Sequence, residues 1–295
     1  RRVLFRSEAG VNRLSIGVQS FEPAKLKLLG RIHGREEALR VVEAARSAGF
    51  GNLNLDLMFG LPQQSLAQAL ADLETAIGLA PDHLSLYQLT IEPNTVFWAK
   101  PPPLPDDDSI WETQRQLQAL LAQTGYRHYE VSAYARAGKR CRHNLNYWQF
   151  GDYLGIGAGA HAKISDSQGI TRLSKVKQPN AYVAKAGTPA GIADEQRLSS
   201  QDAVIEFMMN ALRLTEGFPT HLFQERTGLP LSFVIPSLRT AVAKGLLSWD
   251  TKTIQASELG SRLLNDLLGL FLPAEDAELE RTPATGVRTV TTEAS

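Results

Sequence analysis

Cysteine is all but missing from this sequence: Cys141 is the only one in 295 residues. A single thiol cannot form an intrachain disulfide, and it cannot supply the several thiolates of a structural zinc site or an iron–sulfur cluster. Excess charge of either sign is missing too. Lys and Arg total 31, Asp and Glu total 31, and the formal net charge is zero. No global field draws such a chain to nucleic acid or to an anionic membrane, so a nucleic-acid role would need a local basic patch. No apolar run approaches the roughly 18 residues of a spanning helix, and the start lacks the charged-then-apolar layout of a signal peptide. These absences predict a cytoplasmic protein with at most peripheral membrane contact and no nucleic-acid partner.

The chain opens Arg1, Arg2, Val3, Leu4, Phe5, Arg6, Ser7, without methionine and without helix or strand periodicity. Residues 1–7 are therefore expected to be a non-native leader. With 43% hydrophobic and 21% charged residues, the remainder can bury a core, and its length suits one large globular unit plus a smaller one.

Strand and helix patterns alternate from the start. Leu14, Ile16 and Val18 alternate with Arg13, Ser15, Gly17 and Gln19, and Leu53, Leu55, Leu57 and Phe59 alternate with Asn52, Asn54, Asp56 and Met58. Between them lies a helical pattern from about Gly34 to Ser47, ended by Gly49. Ser65 and Gln68 form a capping-box pair ahead of Leu66, Leu70, Leu73 and Ile77. His83 to Thr90 reads as a third strand, Ser109 with Glu112 as the cap of a helix ending near Gly125, and Tyr129 to Tyr134 as a fourth strand. Such alternation implies βαβ units and a parallel sheet. Open parallel sheets buried on both faces are almost continuously apolar, yet two of these strands carry one wholly polar face. The fold class expected is α/β, a partial (β/α) barrel over 8–178 with a polar interior side.

Residues 179–197 are rich in Pro, Gly and Ala and read as a linker. Beyond it, 198–273 carries helical patterns over Ala203–Leu214, Pro219–Thr227, Leu231–Lys244 and Leu259–Phe271, with a hairpin of Leu247–Trp249 and Thr253–Gln255. That order predicts a small winged-helix-like helical domain. Residues 274–295 are polar, small and aperiodic, the composition of a disordered tail.

Three groups of residues carry candidate chemistry. Gln19, Asn52, Asn54 and Asp56 line the polar strand faces, with Arg31 in the loop after the first strand. Guanidinium, amide and carboxylate groups suit a zwitterionic ligand bearing a ribose, although a self-satisfied buried network pairing Asp56 with Arg31 uses the same groups. Gly151 to Ile164 is glycine-dense but lacks the context of a nucleotide fingerprint, so close backbone packing is the plainer reading. Cys141-Arg142-His143-Asn144-Leu145-Asn146-Tyr147-Trp148 combines a possible iron ligand with aromatic rings, the mixture a heme requires, and equally fits a surface loop.

Gly10-Val11-Asn12-Arg13-Leu14-Ser15-Ile16-Gly17-Val18-Gln19-Ser20-Phe21 resembles the radical S-adenosylmethionine proteins related to oxygen-independent coproporphyrinogen III oxidase. Leu29 to His33, Asn54 to Pro62, Tyr87 to Thr95 and Tyr153 to Gly157 resemble further motifs of that family in the same order, and the likeness runs from about Glu8 to Leu272. His143 to Trp148 resembles the His-Asn-x-x-Tyr-Trp signature of the HemW-type heme chaperone branch. The resemblance implies that Gln19, Arg31 and Asp56, with Thr90 and His161, contact S-adenosylmethionine. It implies that His143, Asn144, Tyr147 and Trp148 contact heme, with His143 as the iron ligand, and that a membrane or respiratory protein accepts the heme. It also implies a [4Fe-4S] cluster on three cysteines upstream of Glu8, which this sequence does not contain. The chain is therefore expected to be the larger part of a longer protein and catalytically inactive alone. Two other readings compete: a coproporphyrinogen III oxidase that decarboxylates by radical chemistry, and a winged-helix nucleic-acid binder. The His143 segment weighs against the first, and the neutral charge against the second.

Overall fold

The computed structural model describes residues 10–273. The expected leader, 1–7, and the expected tail, 274–295, lie outside the described residues. The chain divides into two compact units between Arg142 and His143.

The first unit is built on a five-stranded sheet in the order β1-β2-β3-β5-β4. Strands β1 (Leu14–Gln19), β2 (Leu53–Phe59) and β3 (His83–Gln88) run parallel, in a register that sets Ser15 beside Asn54 and Asn54 beside His83. The crossovers are helical: α1 (Pro23–Leu28) and α2 (Arg35–Ser47) after β1, and α3 (Leu66–Gly78) after β2. After β3 come α4 (Val96–Ala99) and α5 (Asp107–Gln123). Because β-strand side chains alternate, one face of the sheet is apolar throughout. Leu53, Leu55, Leu57, Leu84 and Leu86 lie on it, packed with Val42 and Ala45 of α2, Leu73 and Ala76 of α3, and Leu117 and Leu121 of α5. Burying each leucine contributes about 2 kcal/mol.

Local chemistry sets the helix ends. Both bonds of the Ser65–Gln68 capping box form. Gly49 closes α2 in the left-handed region, and Phe50 N–H reaches back to Ala45 O at 3.1 Å. The cap of α5 corrects the sequence reading: it is Asp106, which accepts from Ser109 N–H at 2.7 Å. An ionised cap followed by Asp107 and Asp108 complements the helix dipole better than a serine two residues inside would. The expected strand over Tyr129–Tyr134 is two strands, β4 (Arg127–Glu130) and β5 (Ala133–Ala135), joined as a hairpin. Leu86 N–H donates to Ser132 O at 2.8 Å, and β5 pairs antiparallel with β3, so the sheet is mixed at this end.

The second unit opens with α6 (Arg142–Trp148) and an antiparallel sheet of β6 (His161–Asp166), β7 (Gly169–Lys175) and β8 (Ile192–Arg197). Residues 143–178, expected in the barrel, belong to this unit. Nor is 179–197 a linker: it contains α7 (Pro179–Lys185) and all of β8, whose pairing with β7 composition could not reveal. The helices α8 (Ser200–Ala211), α9 (Thr220–Thr227), α10 (Ile235–Ala243), α11 (Glu258–Arg262) and α12 (Leu264–Gly269) follow. With them is a small sheet of β9 (Phe218–Pro219), β10 (Leu247–Trp249) and β11 (Thr253–Ala256). The expected helix over Leu231–Lys244 begins as a single 3-10 turn, because Pro236 removes an N–H and restarts the helix at its first turn. The core centres on Phe207, whose ring meets those of Phe150, Phe218 and Phe223 edge to face.

Candidate functional site

The polar face of the first sheet is one hydrogen-bonded chain. Asp56 accepts from Ser15 Oγ at 3.1 Å and from Asn54 Nδ2 at 2.7 Å, and the same Asn54 nitrogen donates to Ser15 Oγ at 2.6 Å. The Asn54 oxygen accepts from Ser85 Oγ at 3.1 Å and lies 2.6 Å from His83 Nδ1. Turning that amide around would set its oxygen against the Asp56 carboxylate, so His83 must donate through Nδ1–H. Its Nε2 then accepts from Tyr129 Oη at 2.7 Å, and Tyr129 in turn accepts from Cys141 N–H at 3.3 Å. Burial supports this polarity: it drives His83 down to about 3 and the Tyr129 phenol up to about 12, keeping both neutral. Asp56 and Arg31 make no ion pair, so the self-paired reading is set aside for that couple. Arg31 is exposed in the loop after α1, and the carboxylate stays half-buried at the edge of the chain.

Gln19 ends β1 in the left-handed region, φ 68°. Its amide lies across Gly17: a Cβ there would come within 2.8 Å of Gln19 Nε2. The strained corner is held from outside the strand. Asp72 of α3 accepts from Ser20 Oγ at 2.6 Å and Phe21 N–H at 2.7 Å, while buried Lys25 donates to Pro62 O and Gln63 O. Replacing Asp72 with alanine is expected to destabilise the chain by about 3 kcal/mol, because two buried donors lose a carboxylate, and urea unfolding checks it. Thr90, two residues past β3, is exposed and donates to Glu92 Oε1 at 3.1 Å.

In the second unit, α6 presents an exposed His143, whose ring meets Tyr147 edge to face at 4.8 Å. Trp148 packs against the hydrophobic core and lies under the Arg213 guanidinium at 4.5 Å. His161 opens β6, exposed, opposite Ser174. In the glycine-dense stretch, a Cβ on Gly155 would collide with the backbone of His161, and one on Gly151 with Asn146. Close packing of the chain on itself explains those two glycines.

Residues 6–76 match the model of the Radical SAM superfamily, and 198–263 match the HemN C-terminal domain. The heme chaperone HemW of Escherichia coli is 49% identical over 265 residues, which cover 90% of this chain and 69% of that protein. The chain belongs to the HemW heme chaperone family. HemW of Bacillus subtilis is 36% identical, covering 90% of this chain and 70% of its own length. Mouse radical S-adenosyl methionine domain-containing protein 1, mitochondrial, is also 36% identical, over 95% of this chain and 66% of that protein. Among solved structures, E. coli coproporphyrinogen III oxidase (HemN), a radical SAM enzyme, superposes with a TM-score of 0.72 at 24% identity, covering 91% of this chain and 66% of that one. That likeness is one of fold.

In this HemW-family chain, Asp56 joins a polar network with Ser15, Asn54 and His83, while Gln19 and Arg31 occupy the corner and loop that follow β1. His161 and the His143–Trp148 helix belong to the other unit. Ser15, His83, Tyr129 and Asp72 were missed by sequence reasoning, although Ser15 and His83 were legible as members of an alternating strand. An iron–sulfur cluster does not fit the residues present: Cys141 is buried and is the one cysteine of the sequence, and no group of three or more His, Cys, Asp or Glu gathers among the described residues. S-adenosylmethionine fits better, since the half-buried Asp56 edge and the Gln19 amide offer complementary groups. Among the described residues no helix is long and apolar enough to cross a membrane.

Proposed function

We propose that this chain binds heme as its cargo, with His143 as the iron ligand, and binds S-adenosylmethionine beside the polar face of its first sheet. The observation that carries the heme reading is the exposed His143 imidazole, braced by Tyr147 on a helix whose Trp148 is packed into the core. Iron needs a neutral imidazole nitrogen with open access, and a macrocycle needs aromatic or apolar surface beside it. Asn144 and Tyr147 share the helix and complete the contact set. The names of two relatives, heme chaperones at 49% and 36% identity, agree with this reading.

S-adenosylmethionine, when bound, would supply the family's adenosyl chemistry. Arg31 would take its carboxylate, Asp56 and Gln19 its hydroxyl and amine groups, with Thr90 as an outlying contact. Heme would pass onward to a membrane or respiratory acceptor. The decarboxylase alternative draws support from fold alone.

Hemin titrated into the purified chain should give a 1:1 Soret shift, and His143→Ala should weaken binding at least tenfold while the far-ultraviolet circular dichroism stays the same. Equal binding by both proteins would remove His143 as the ligand. No shift from folded protein would remove heme binding from this chain.

A further inference from the structure

The proposed iron ligand is connected to the C-terminal helical domain through a ladder of rings and one ion pair. His143 meets Tyr147 at 4.8 Å, and Tyr147 meets Tyr153 at 4.5 Å. Arg172 of β7 donates to Tyr153 Oη at 2.6 Å, and its Nε donates to Glu206 of α8 at 2.9 Å. A second guanidinium nitrogen of Arg172 also bonds the same Glu206 oxygen. Tyr153 is tied on its backbone as well, by reciprocal bonds to Lys163 at 3.0 and 3.1 Å. Glu206 lies in α8, inside the stretch that matches the HemN C-terminal domain.

We infer that Arg172 and Glu206 are positioning residues for His143, acting through Tyr153 and Tyr147. The inference rests on the heme reading above and adds a control that it does not contain. The argument is one of restraint. His143 is exposed on a helix of seven residues, so few contacts of its own fix the imidazole. Among the described residues its ring meets that of Tyr147, and Tyr147 is backed by Tyr153. Tyr153 is half-buried, so a hydrogen bond on its hydroxyl adds to what packing does to fix the ring. Tyr153 is held by a planar guanidinium that Glu206 keeps in place by two bonds to one carboxylate oxygen, an arrangement a lysine could not reproduce. The arrangement therefore orients one imidazole from a domain that supplies no ligand itself.

Two readouts test this in the full chain. In ligand-free protein, the Cε1 proton of His143 should be shifted by the ring current of Tyr147, and Arg172→Gln should move that resonance toward the position of a free histidine. In hemin titrations, Arg172→Gln should weaken binding about tenfold and alter the Soret maximum, whereas Arg172→Lys should restore only part of the affinity. Tyr153→Phe keeps the ring but removes its bond to Arg172, which stays on Glu206, and should fall between the two; it takes the place of Arg172→Gln if that variant does not fold. A folded Arg172→Gln protein with an unchanged His143 resonance and unchanged hemin affinity overturns the inference and leaves the heme reading intact. If the wild-type chain binds no hemin, the heme reading fails, and the resonance alone decides whether the ladder orients His143.

Discussion

Acidification from about pH 6.5 to about pH 4 is expected to cost the chain about 3 kcal/mol of stability through His83 alone. The side chain is fully buried, with both ring nitrogens engaged, and burial, reinforced by Arg13, lowers it from 6.5 to about 3. The unfolded chain takes up a proton near pH 6.5, and the folded chain does not until about pH 3. Between those values the unfolded state binds more protons, so stability falls as pH falls, by about 1.4 kcal/mol per unit. Above about pH 6.5 the stabilising difference is fully present.

The measurement is urea unfolding of wild type and His83→Gln from pH 7.5 downward. Glutamine can donate to Asn54 and accept from Tyr129, so it should remain folded at neutral pH, yet it cannot titrate. The difference between the two proteins should shrink as pH falls, which cancels the carboxylates they share. His83→Leu should instead cost about 2–4 kcal/mol at every pH, since it removes one of the two donors to the Asn54 oxygen and strands the Tyr129 hydroxyl proton. Parallel curves for wild type and His83→Gln would mean that His83 does not carry the acid sensitivity.

Gly260→Ala is expected to be at least as damaging, about 3 kcal/mol or more, for a purely steric reason. In α11 this glycine lies against the main chain of Leu246, and an added Cβ would overlap the Leu246 carbonyl. That carbonyl cannot retreat, because it accepts from Ser257 N–H at 3.0 Å while Ser257 Oγ bonds Gly245 O at 2.7 Å. Helix propensity alone would favour alanine by about 1 kcal/mol, so the sign of the effect separates the two causes. Gly245→Ala is the control. Gly245 has φ 70° and no neighbour in the way, so only the left-handed backbone penalises it, by about 1–2 kcal/mol. A mild effect at Gly260 would mean that α11 packs less closely on β10 than described.

The regular parts of this fold were legible because they are written in short-range patterns. Alternation marked β1 and β2 to within a residue or two, and the Ser65–Gln68 box marked the start of α3. The polar face of the sheet was readable for the same reason, since Ser15, Asn54 and Asp56 repeat at every second position. What escaped depends on partners far away in sequence. Asp72 looks like an ordinary polar helix position, and only the fold brings it to Ser20, 52 residues away. The Pro-, Gly- and Ala-rich stretch suggested a linker, but β8 exists because β7 offers it a paired edge. Arg172 and Glu206 are 34 residues apart, and neither sits in a motif.

Phe150, two residues past α6, is 2% exposed, with its ring against Phe207 at the centre of the C-terminal core. Trp148 and Leu145 pack on the same core. Amide hydrogen exchange should therefore register this short helix as part of one cooperative unfolding block with α8 and α9, although a seven-residue helix standing alone would open independently of its surroundings. A destabilising change in the core around Phe207 should then loosen the helix that bears His143 to the same degree, with no change at any residue that faces the ligand.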